Sequence, residues 1–317
     1  MRTIINSRRI QSRFALILAA VCAAIVAGCG DDEPSAQAQG PSVVASTTQI
    51  ADLARNVAGD RAEVTGILAR NSDPHDYEPR PSDVAAIAQA DLILSSGGEV
   101  DLWLSEVVDS SGSEAPQLAL IDSVETIAAD DGIDPHWWQA PPNAVLAVAA
   151  IRDELVALDP QGRGEYERNA ADYTSVIERL DSQIATCLNR LSIGDRKLVT
   201  SHDALGYFAD RYEIEVVGAT IPALTTQAQP SAGETAELVD LIRTEGVEAV
   251  FPEAGVSAAL EQAVADETSA EVGPELYADT LGPEGSGGAT YLQAMAANAA
   301  AMASGFSGGE LSCELST

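Results

Sequence analysis

The sequence has little positive charge. Its 317 residues include 17 lysines and arginines against 49 aspartates and glutamates, so the formal net charge is −32. Four of the arginines fall within the first 29 residues, which contain no acid, so the rest of the chain is more acidic still. Such a chain lacks the cationic side chains that bind nucleic-acid phosphates, and an anionic lipid surface would repel it. We therefore expect no nucleic-acid partner.

Long hydrophobic runs are absent except near the N-terminus. Residues 14–28 form an apolar stretch that follows a basic segment, and this stretch is short for a membrane-spanning helix. It ends in Val26-Ala27-Gly28-Cys29, which resembles the lipobox of bacterial lipoproteins; by that resemblance Cys29 would carry the lipid. The alternative is an ordinary signal peptide in which Cys29 is incidental. We expect a lipoprotein signal peptide over 1–29, a flexible tether over 30–42, and an exported protein that is lipid-anchored at the outer face of the cytoplasmic membrane.

Cysteine is scarce as well, with four residues in the chain. Cys22 belongs to the leader and Cys29 is assigned to lipid, which leaves Cys187 and Cys313. Export would place this pair where disulfides persist, and the pair lacks the short spacing of a metal site. We predict a Cys187–Cys313 disulfide that ties down the C-terminus; the alternative is two unpaired thiols.

Strand and helix patterns alternate through both halves of the chain, which predicts an α/β fold with a parallel sheet in each half. The length also favours two domains over one. The longest helical pattern covers 165–191 and would be roughly 40 Å long, enough to connect two domains. We predict an N-terminal lobe over 43–160, a linking helix over 161–192 and a C-terminal lobe over 193–317.

Histidine occurs only three times, and each time beside an aspartate or one proline away from one: His75, His136 and His202. Imidazole is the commonest transition-metal ligand, and a neighbouring carboxylate can orient it. Any one of them alone would more often be an ordinary loop or core histidine. Their wide spacing excludes a local finger-type site, so a shared metal site would have to be assembled by the tertiary structure.

Several candidate side chains follow predicted strands, namely His75, His202, Glu253 and Asp279. Ligands of open parallel sheets bind beyond the carboxyl ends of the strands. Two lobes with such ends facing each other would form a cleft. Spacing alone does not identify a fourth ligand, because the chain has 49 acids to choose from.

Several separate motifs, in the same order, resemble the zinc- and manganese-binding solute receptors of ABC transporters, the cluster A-I family. The likeness runs from about residue 42 to residue 306, and its motifs are at residues 73–83, 134–138, 200–208, 251–253 and 277–291. It implies two lobes joined by a rigid helix, with a metal site in the cleft between them. The ligands implied are His75, His136, His202 and Asp279, and we expect Glu253, Asp73, Asp134 and Asp203 to support them from behind.

The chain departs from the family pattern in two places. The acidic segment 125–134 contains no histidine, whereas zinc-binding members often have a histidine-rich loop there. After His136 the sequence continues Trp137-Trp138-Gln139-Ala140, where the family usually has another Asp-Pro pair. The second departure predicts a reshaped cleft wall with the ligand retained.

Three imidazoles and one carboxylate suit tetrahedral Zn²⁺, although such a site would also bind Cu²⁺. Family members that carry manganese tend to have an acid at the third ligand position, so His202 favours Zn²⁺ over Mn²⁺. We therefore predict a receptor that delivers zinc to the membrane permease of an ABC importer and its ATPase. The alternative is a manganese or iron receptor of the same family.

A closed shell of four ligands leaves no position for a reactive water, which argues against a zinc hydrolase. Glu253 is the only obvious base for such an enzyme, so we expect none. Nothing in the sequence supports a surface adhesin or an oligomer, and we expect a monomer. The glycines at 282, 285, 287 and 288 predict that the loop following Asp279 moves when the metal is released.

Overall fold

A parallel four-stranded sheet forms the centre of the N-terminal lobe in the computed structural model. The structure describes residues 40–129 and 132–317, within one compact unit, Ala38–Thr317. The predicted signal peptide, Cys29, most of the tether and two aspartates of the acidic segment lie outside the described residues. The sheet has the order β2-β1-β3-β4 and consists of β1 (Ser42–Ala45), β2 (Glu63–Gly66), β3 (Leu92–Ser95) and β4 (Gln117–Ala119).

The two central strands, β1 and β3, are covered on both faces, which explains why they read as apolar runs. Val43 and Ala45 of β1 face the main core, while Val44 faces a smaller cluster on the other side. The helices of this lobe are α1 (Thr48–Ala58), α2 (Pro81–Ile87), α3 (Trp103–Ser111) and α4 (Pro141–Leu158). A short antiparallel hairpin of β5 (Ala128–Ala129) and β6 (Gly132–Ile133) precedes His136.

The predicted tether reaches too far along the chain, because residues 40–42 belong to the folded lobe. The Gly40 N–H donates to the Arg61 carbonyl over 2.8 Å, and Ser42 is the first residue of β1. Pro41 is buried. The folded lobe therefore already includes Gly40.

One long helix, α5 (Arg163–Leu188), matches the predicted linking segment and has 26 residues. Polar contacts tie it to both lobes. The Tyr173 hydroxyl lies 3.4 Å from Asp52 of α1, and Asp181 accepts hydrogen bonds from the Arg211 guanidinium and the Tyr212 hydroxyl of the C-terminal lobe. The main core also runs without a break through both lobes and along this helix. Such a connection is stiff.

The C-terminal lobe has a less regular sheet. Strands β7 (Lys197–His202) and β8 (Glu215–Ile221) pair in parallel, as do β9 (Ala249–Val250) and β10 (Glu271–Val272). Two isolated parallel bridges, Thr200 with Phe251 and Glu253 with Leu276, extend the pairing beyond these strands. The helices are α6 (Gly206–Tyr212), α7 (Ala232–Glu245), α8 (Ala259–Asp266) and α9 (Tyr291–Phe306). The result is the predicted α/β architecture with parallel sheets.

A disulfide joins Cys187, near the end of α5, to Cys313, with Cα atoms 5.8 Å apart. The C-terminal tail also bonds to the same helix, since the Ser316 N–H donates to Gln183 over 2.8 Å. Within the described residues, no helix combines the length and the apolar character needed to cross a membrane.

Candidate metal centre

Four side chains converge between the lobes: His75, His136, His202 and Asp279. Each offers a ligand atom, and these atoms lie within 4.8 Å of one another. Asp279 Oδ2 is 3.1 Å from Nε2 of both His75 and His202, and Asp279 Oδ1 is 3.5 Å from Nε2 of His136. Tetrahedral zinc with bonds of about 2.0–2.1 Å needs ligand atoms roughly 3.3 Å apart. The four groups therefore sit at the spacing of a metal coordination shell.

Each ligand candidate is delivered by a different local structure. His75 lies in a 3₁₀ turn, Pro74–Asp76, within the loop that follows β2. His136 precedes the 3₁₀ turn Trp137–Gln139, and His202 is the last residue of β7. Asp279 follows the bridge at Leu276. His75, His202 and Asp279 thus follow parallel pairings, as ligand sites of this fold class do, whereas His136 follows the antiparallel hairpin.

The centre consists of buried polar atoms that have no aligned hydrogen-bond partner among the described residues. His136 and His202 are fully buried, and the side chains of His75 and Asp279 are 3% and 7% exposed. Within the described part of the chain, the three Nε2 atoms and both Asp279 oxygens have no hydrogen-bond partner; their mutual contacts are too poorly aligned for one. Unpaired polar atoms are costly to bury and call for an explanation. A cation bound at their centre would satisfy all five atoms.

Two of the imidazoles have a carboxylate beside Nδ1. Asp134 Oδ1 lies 2.7 Å from His136 Nδ1 and also accepts the His136 backbone N–H over 2.9 Å. Glu253 Oε2 lies 2.8 Å from His202 Nδ1, although that contact falls short of hydrogen-bond alignment. Glu253 Oε1 accepts from the Thr200 hydroxyl and the His202 backbone N–H. A carboxylate at Nδ1 favours the proton there and leaves the Nε2 lone pair for a metal.

The electrostatics of the centre follow from these contacts. Burial opposes a charge on His202, but the carboxylates of Glu253 and Asp279 outweigh it and raise the pKa of His202 well above its ordinary value. Burial likewise opposes ionisation of Asp279, yet His202 and His136 hold its pKa well below the usual range. These charges favour a proton on His202 and an ionised Asp279 when no cation is bound, so an incoming cation must displace that proton.

The other two aspartates predicted to support the ligands are placed differently. Asp73 accepts the His75 backbone N–H at Oδ1 over 2.8 Å and the Thr226 hydroxyl at Oδ2, so it fixes the backbone of His75. Asp203 is exposed, and its backbone N–H donates to the carbonyl of Ala223. Together with Asp134, it lines an open cavity of about 480 Å³ beside the centre.

The sequence analysis missed a group of donors next to Asp279. Gln49, Trp138 and Gln139 all donate a side-chain N–H to the carbonyl oxygen of Ala278. Two of these residues lie in the Trp-Trp-Gln-Ala segment that departs from the family pattern. A polar glutamine in an otherwise apolar segment was the available signal, but the sequence does not show what it contacts.

Comparison with known proteins agrees with this geometry. Residues 43–305 match the family described as ZnuA, zinc-uptake complex component A, periplasmic. The manganese-binding lipoprotein MntA of Halalkalibacterium halodurans is 32% identical over 291 residues, which cover 90% of this chain and 96% of the relative. The iron-binding protein YfeA of Yersinia pestis is 31% identical, covering 88% of this chain and 91% of the relative.

A solved structure shows the same fold. The periplasmic zinc-binding protein TroA from Treponema pallidum superimposes with a TM-score of 0.79 at 26% identity, covering 84% of this chain and 99% of that one. Proteins of this family are solute receptors for ABC transport and not enzymes, which confirms the expectation that the chain is not a hydrolase. The chain belongs to the ZnuA family of metal-binding substrate-binding proteins of ABC transporters.

Proposed function

We propose that the protein is an extracytoplasmic zinc receptor that delivers Zn²⁺ to the membrane permease of an ABC importer. One observation carries the proposal. Three imidazole Nε2 atoms and one carboxylate are buried together, and within residues 40–129 and 132–317 they have no hydrogen-bond partner. Nitrogen and carboxylate donors in this number form the tetrahedral sites that zinc favours.

Manganese or iron is the second candidate, and it draws support from the names of relatives. MntA is named for manganese and YfeA for iron, whereas TroA is named for zinc. The donor set favours zinc, because Mn²⁺ prefers oxygen ligands and imidazole suits Zn²⁺ better. His202 is the residue on which this choice depends.

In our proposal His75, His136, His202 and Asp279 bind the ion, and Glu253 and Asp134 orient two of the imidazoles. The lobes grip the metal between them, and release follows when they separate at the permease. Lipid attachment at Cys29 would keep the receptor at the outer face of the cytoplasmic membrane. We propose that it acts as a monomer, since one chain supplies all four ligands.

Metal titration of the soluble chain beginning at residue 30 tests the proposal. This form keeps the whole compact unit. After removal of metal with a chelator, calorimetry with Zn²⁺ and Mn²⁺ should show one tight zinc site and weaker manganese binding. His202→Ala should weaken zinc binding by more than about 100-fold, because loss of a ligand costs more than the 10–100-fold typical of a residue behind one.

The matched control is Asp210→Ala, which removes an exposed side chain of α6 in the same lobe and should bind zinc like the parent. Manganese binding equal to or tighter than zinc binding would instead establish the second candidate. Unchanged zinc binding in His202→Ala would show that the ligand set is wrong.

A further inference from the structure

Three N–H donors from the N-terminal lobe converge on one buried carbonyl, that of Ala278. Gln139 Nε2 donates over 2.7 Å, Trp138 Nε1 over 2.9 Å and Gln49 Nε2 over 3.3 Å. All three donor residues are at most 2% exposed. A carbonyl oxygen has two lone pairs, so three donors more than saturate this acceptor. The peptide bond that it belongs to carries Asp279.

The residues after Asp279 bond to the same lobe. The Leu281 N–H donates to the Thr48 hydroxyl over 2.8 Å, and its carbonyl accepts the Asn71 N–H over 2.9 Å. The Arg70 guanidinium donates to the Gly282 carbonyl over 3.1 Å. The Asp279 segment thus has N-terminal partners on both sides, although it belongs to the C-terminal half of the sequence.

The residues before Ala278 bond mainly to the C-terminal lobe. Leu276 exchanges backbone hydrogen bonds with the C-terminal lobe, donating to Pro252 and accepting from Ala254. The Tyr277 N–H donates to the Asn298 side chain of α9 over 2.7 Å. The Tyr277 carbonyl accepts from the Asn298 side chain over 2.9 Å and from Gln139 Nε2 over the longer distance of 3.4 Å. The attachment of the chain therefore changes lobes across Tyr277 and Ala278, just before the ligand.

We propose that Gln139, supported by Trp138 and Gln49, is a positioning residue that holds the Ala278–Asp279 peptide against the N-terminal lobe and so presents Asp279 to the metal. The inference rests on the proposed function. In this proposal three of the four ligands, His75, His136 and Asp279, are held by the N-terminal lobe, and His202 alone is held by the C-terminal lobe. Separation of the lobes would then withdraw His202 from the ion and leave the Asp279 segment in place.

This assignment changes the expected release mechanism. The glycines that follow Asp279 predict a moving loop, but the segment through Gly282 is bonded to the N-terminal lobe on successive residues. The mobile partner in our proposal is His202 on β7, together with Glu253 behind it. Asp279 stays preorganised for the next ion, which avoids the loss of affinity that a disordered ligand causes.

Gln139 allows positioning to be separated from general stability. Its Nε2 donates to the Ala278 carbonyl and, at 3.4 Å, to the Tyr277 carbonyl, whereas its Oε1 is buried without a hydrogen-bond partner in the described part of the chain. An unpaired buried acceptor is destabilising. Replacement by methionine, which has a similar length, removes the useful donor and the unpaired acceptor together. The two changes have opposite effects on the free energy of unfolding and offset each other, while the attachment of the Ala278–Asp279 peptide to the N-terminal lobe is weakened.

The experiment measures zinc dissociation into excess chelator by stopped flow, with Gln139→Met, Gln49→Met and the parent chain from residue 30. We expect Gln139→Met to dissociate about three- to tenfold faster, the effect of losing one hydrogen bond. Gln49→Met, with its longer bond, should show a smaller acceleration. The melting temperature of metal-free Gln139→Met should stay within about 2 °C of the parent value.

The matched control is Gln293→Met on α9, where the amide oxygen is also buried and unpaired but the residue serves no part of the Asp279 segment. Its zinc dissociation should equal that of the parent. Parent-like dissociation of Gln139→Met overturns the proposal. So does acceleration accompanied by a clear drop in melting temperature, or equal acceleration in Gln293→Met.

These failures are distinguishable from failure of the proposed function. If Gln139→Met behaves like the parent while His202→Ala loses zinc, the receptor function stands and only the positioning role is wrong. If both variants keep parent-like zinc binding, the metal site itself has been misassigned.

Discussion

The two carboxylate–histidine pairs of the metal centre look alike but are built differently. In the N-terminal lobe, one oxygen of Asp134 contacts both the ring Nδ1 and the backbone N–H of His136. In the C-terminal lobe, Glu253 uses both of its oxygens. Oε2 faces the ring of His202, and Oε1 accepts from the Thr200 hydroxyl and the His202 backbone N–H. The Glu253 pair therefore needs two acceptor oxygens, whereas the Asp134 pair needs one.

His75 shows a third arrangement, in which the backbone is held. Its N–H donates to Asp73 and its carbonyl accepts a bond from the Gln227 side chain. Two side chains of the C-terminal lobe bond to this turn: Thr226 donates to Asp73, and Gln227 donates to the His75 carbonyl. A carboxylate near a histidine ligand can therefore set the protonation of the ring or hold only the backbone in position. Which of the two it does depends on the atoms it contacts.

The largest effect expected from this comparison is that of Glu253→Gln. The amide keeps one acceptor but puts an NH₂ group where the second oxygen was, so it cannot both accept from His202 Nδ1 and keep the Thr200 and backbone bonds. The proton then favours Nε2, which blocks the metal. We expect zinc affinity to fall about 10–100-fold, measured by competition with a chelator of known affinity.

Asp134→Asn is the matched variant for that experiment. Its amide oxygen can take the place of Oδ1 and keep both bonds to His136, so we expect a loss well below that of Glu253→Gln. Equal losses in the two variants would mean that the charge of the carboxylates matters and the number of acceptors does not.

The second effect is pH dependence that originates at His202. Because the pKa of His202 is raised well above its ordinary value, the metal-free protein carries a proton there at neutral pH. Zinc must displace that proton, so affinity should fall by about tenfold per pH unit below the raised pKa. An unperturbed histidine would begin to weaken binding only near pH 6.5.

Calorimetry in buffers with different ionisation heats measures the protons released, and we expect about one per zinc bound at neutral pH. The same raised pKa stabilises the folded metal-free protein at low pH, and this contribution disappears as the pH rises through the pKa of His202. Glu253→Gln should lower both the proton release and this stabilisation. Zinc affinity that stays flat from about pH 7.5 to about pH 5 would contradict a site built on histidines.

The fold was predictable wherever local pattern decides the structure. Alternating strands and helices predict the parallel sheets of both lobes, and at the start of α7 Ser231 and Glu234 form the capping box that their spacing favours. The ends of strands were harder to predict where a residue cannot take part in backbone hydrogen bonding. Regular pairing in the segment 271–277 is confined to Glu271–Val272, because Pro274 has no N–H to donate, and pairing resumes only at Leu276.

The candidate site was predictable where side-chain chemistry is rare, since three histidines beside aspartates leave few alternatives. The hold on Ala278 was not predictable. It joins residues more than 130 positions apart, and neither a glutamine nor an alanine carbonyl has a sequence signature for that contact. The different roles of Asp73 and Asp134 were hidden for the same reason, because both stand in the same Asp-Pro-His motif.

Asp73→Asn gives the smallest expected effect and the most direct test of that difference. The asparagine oxygen can keep the bond to the His75 N–H, and its NH₂ group can donate to the Thr226 hydroxyl in place of the present bond. We expect zinc affinity to change by less than about threefold, since only the character of one hydrogen bond changes. The chelator competition used for Glu253→Gln measures it. A tenfold loss would mean that the charge of Asp73 acts on the bound metal. His75 would then depend on its neighbouring carboxylate as His136 and His202 do.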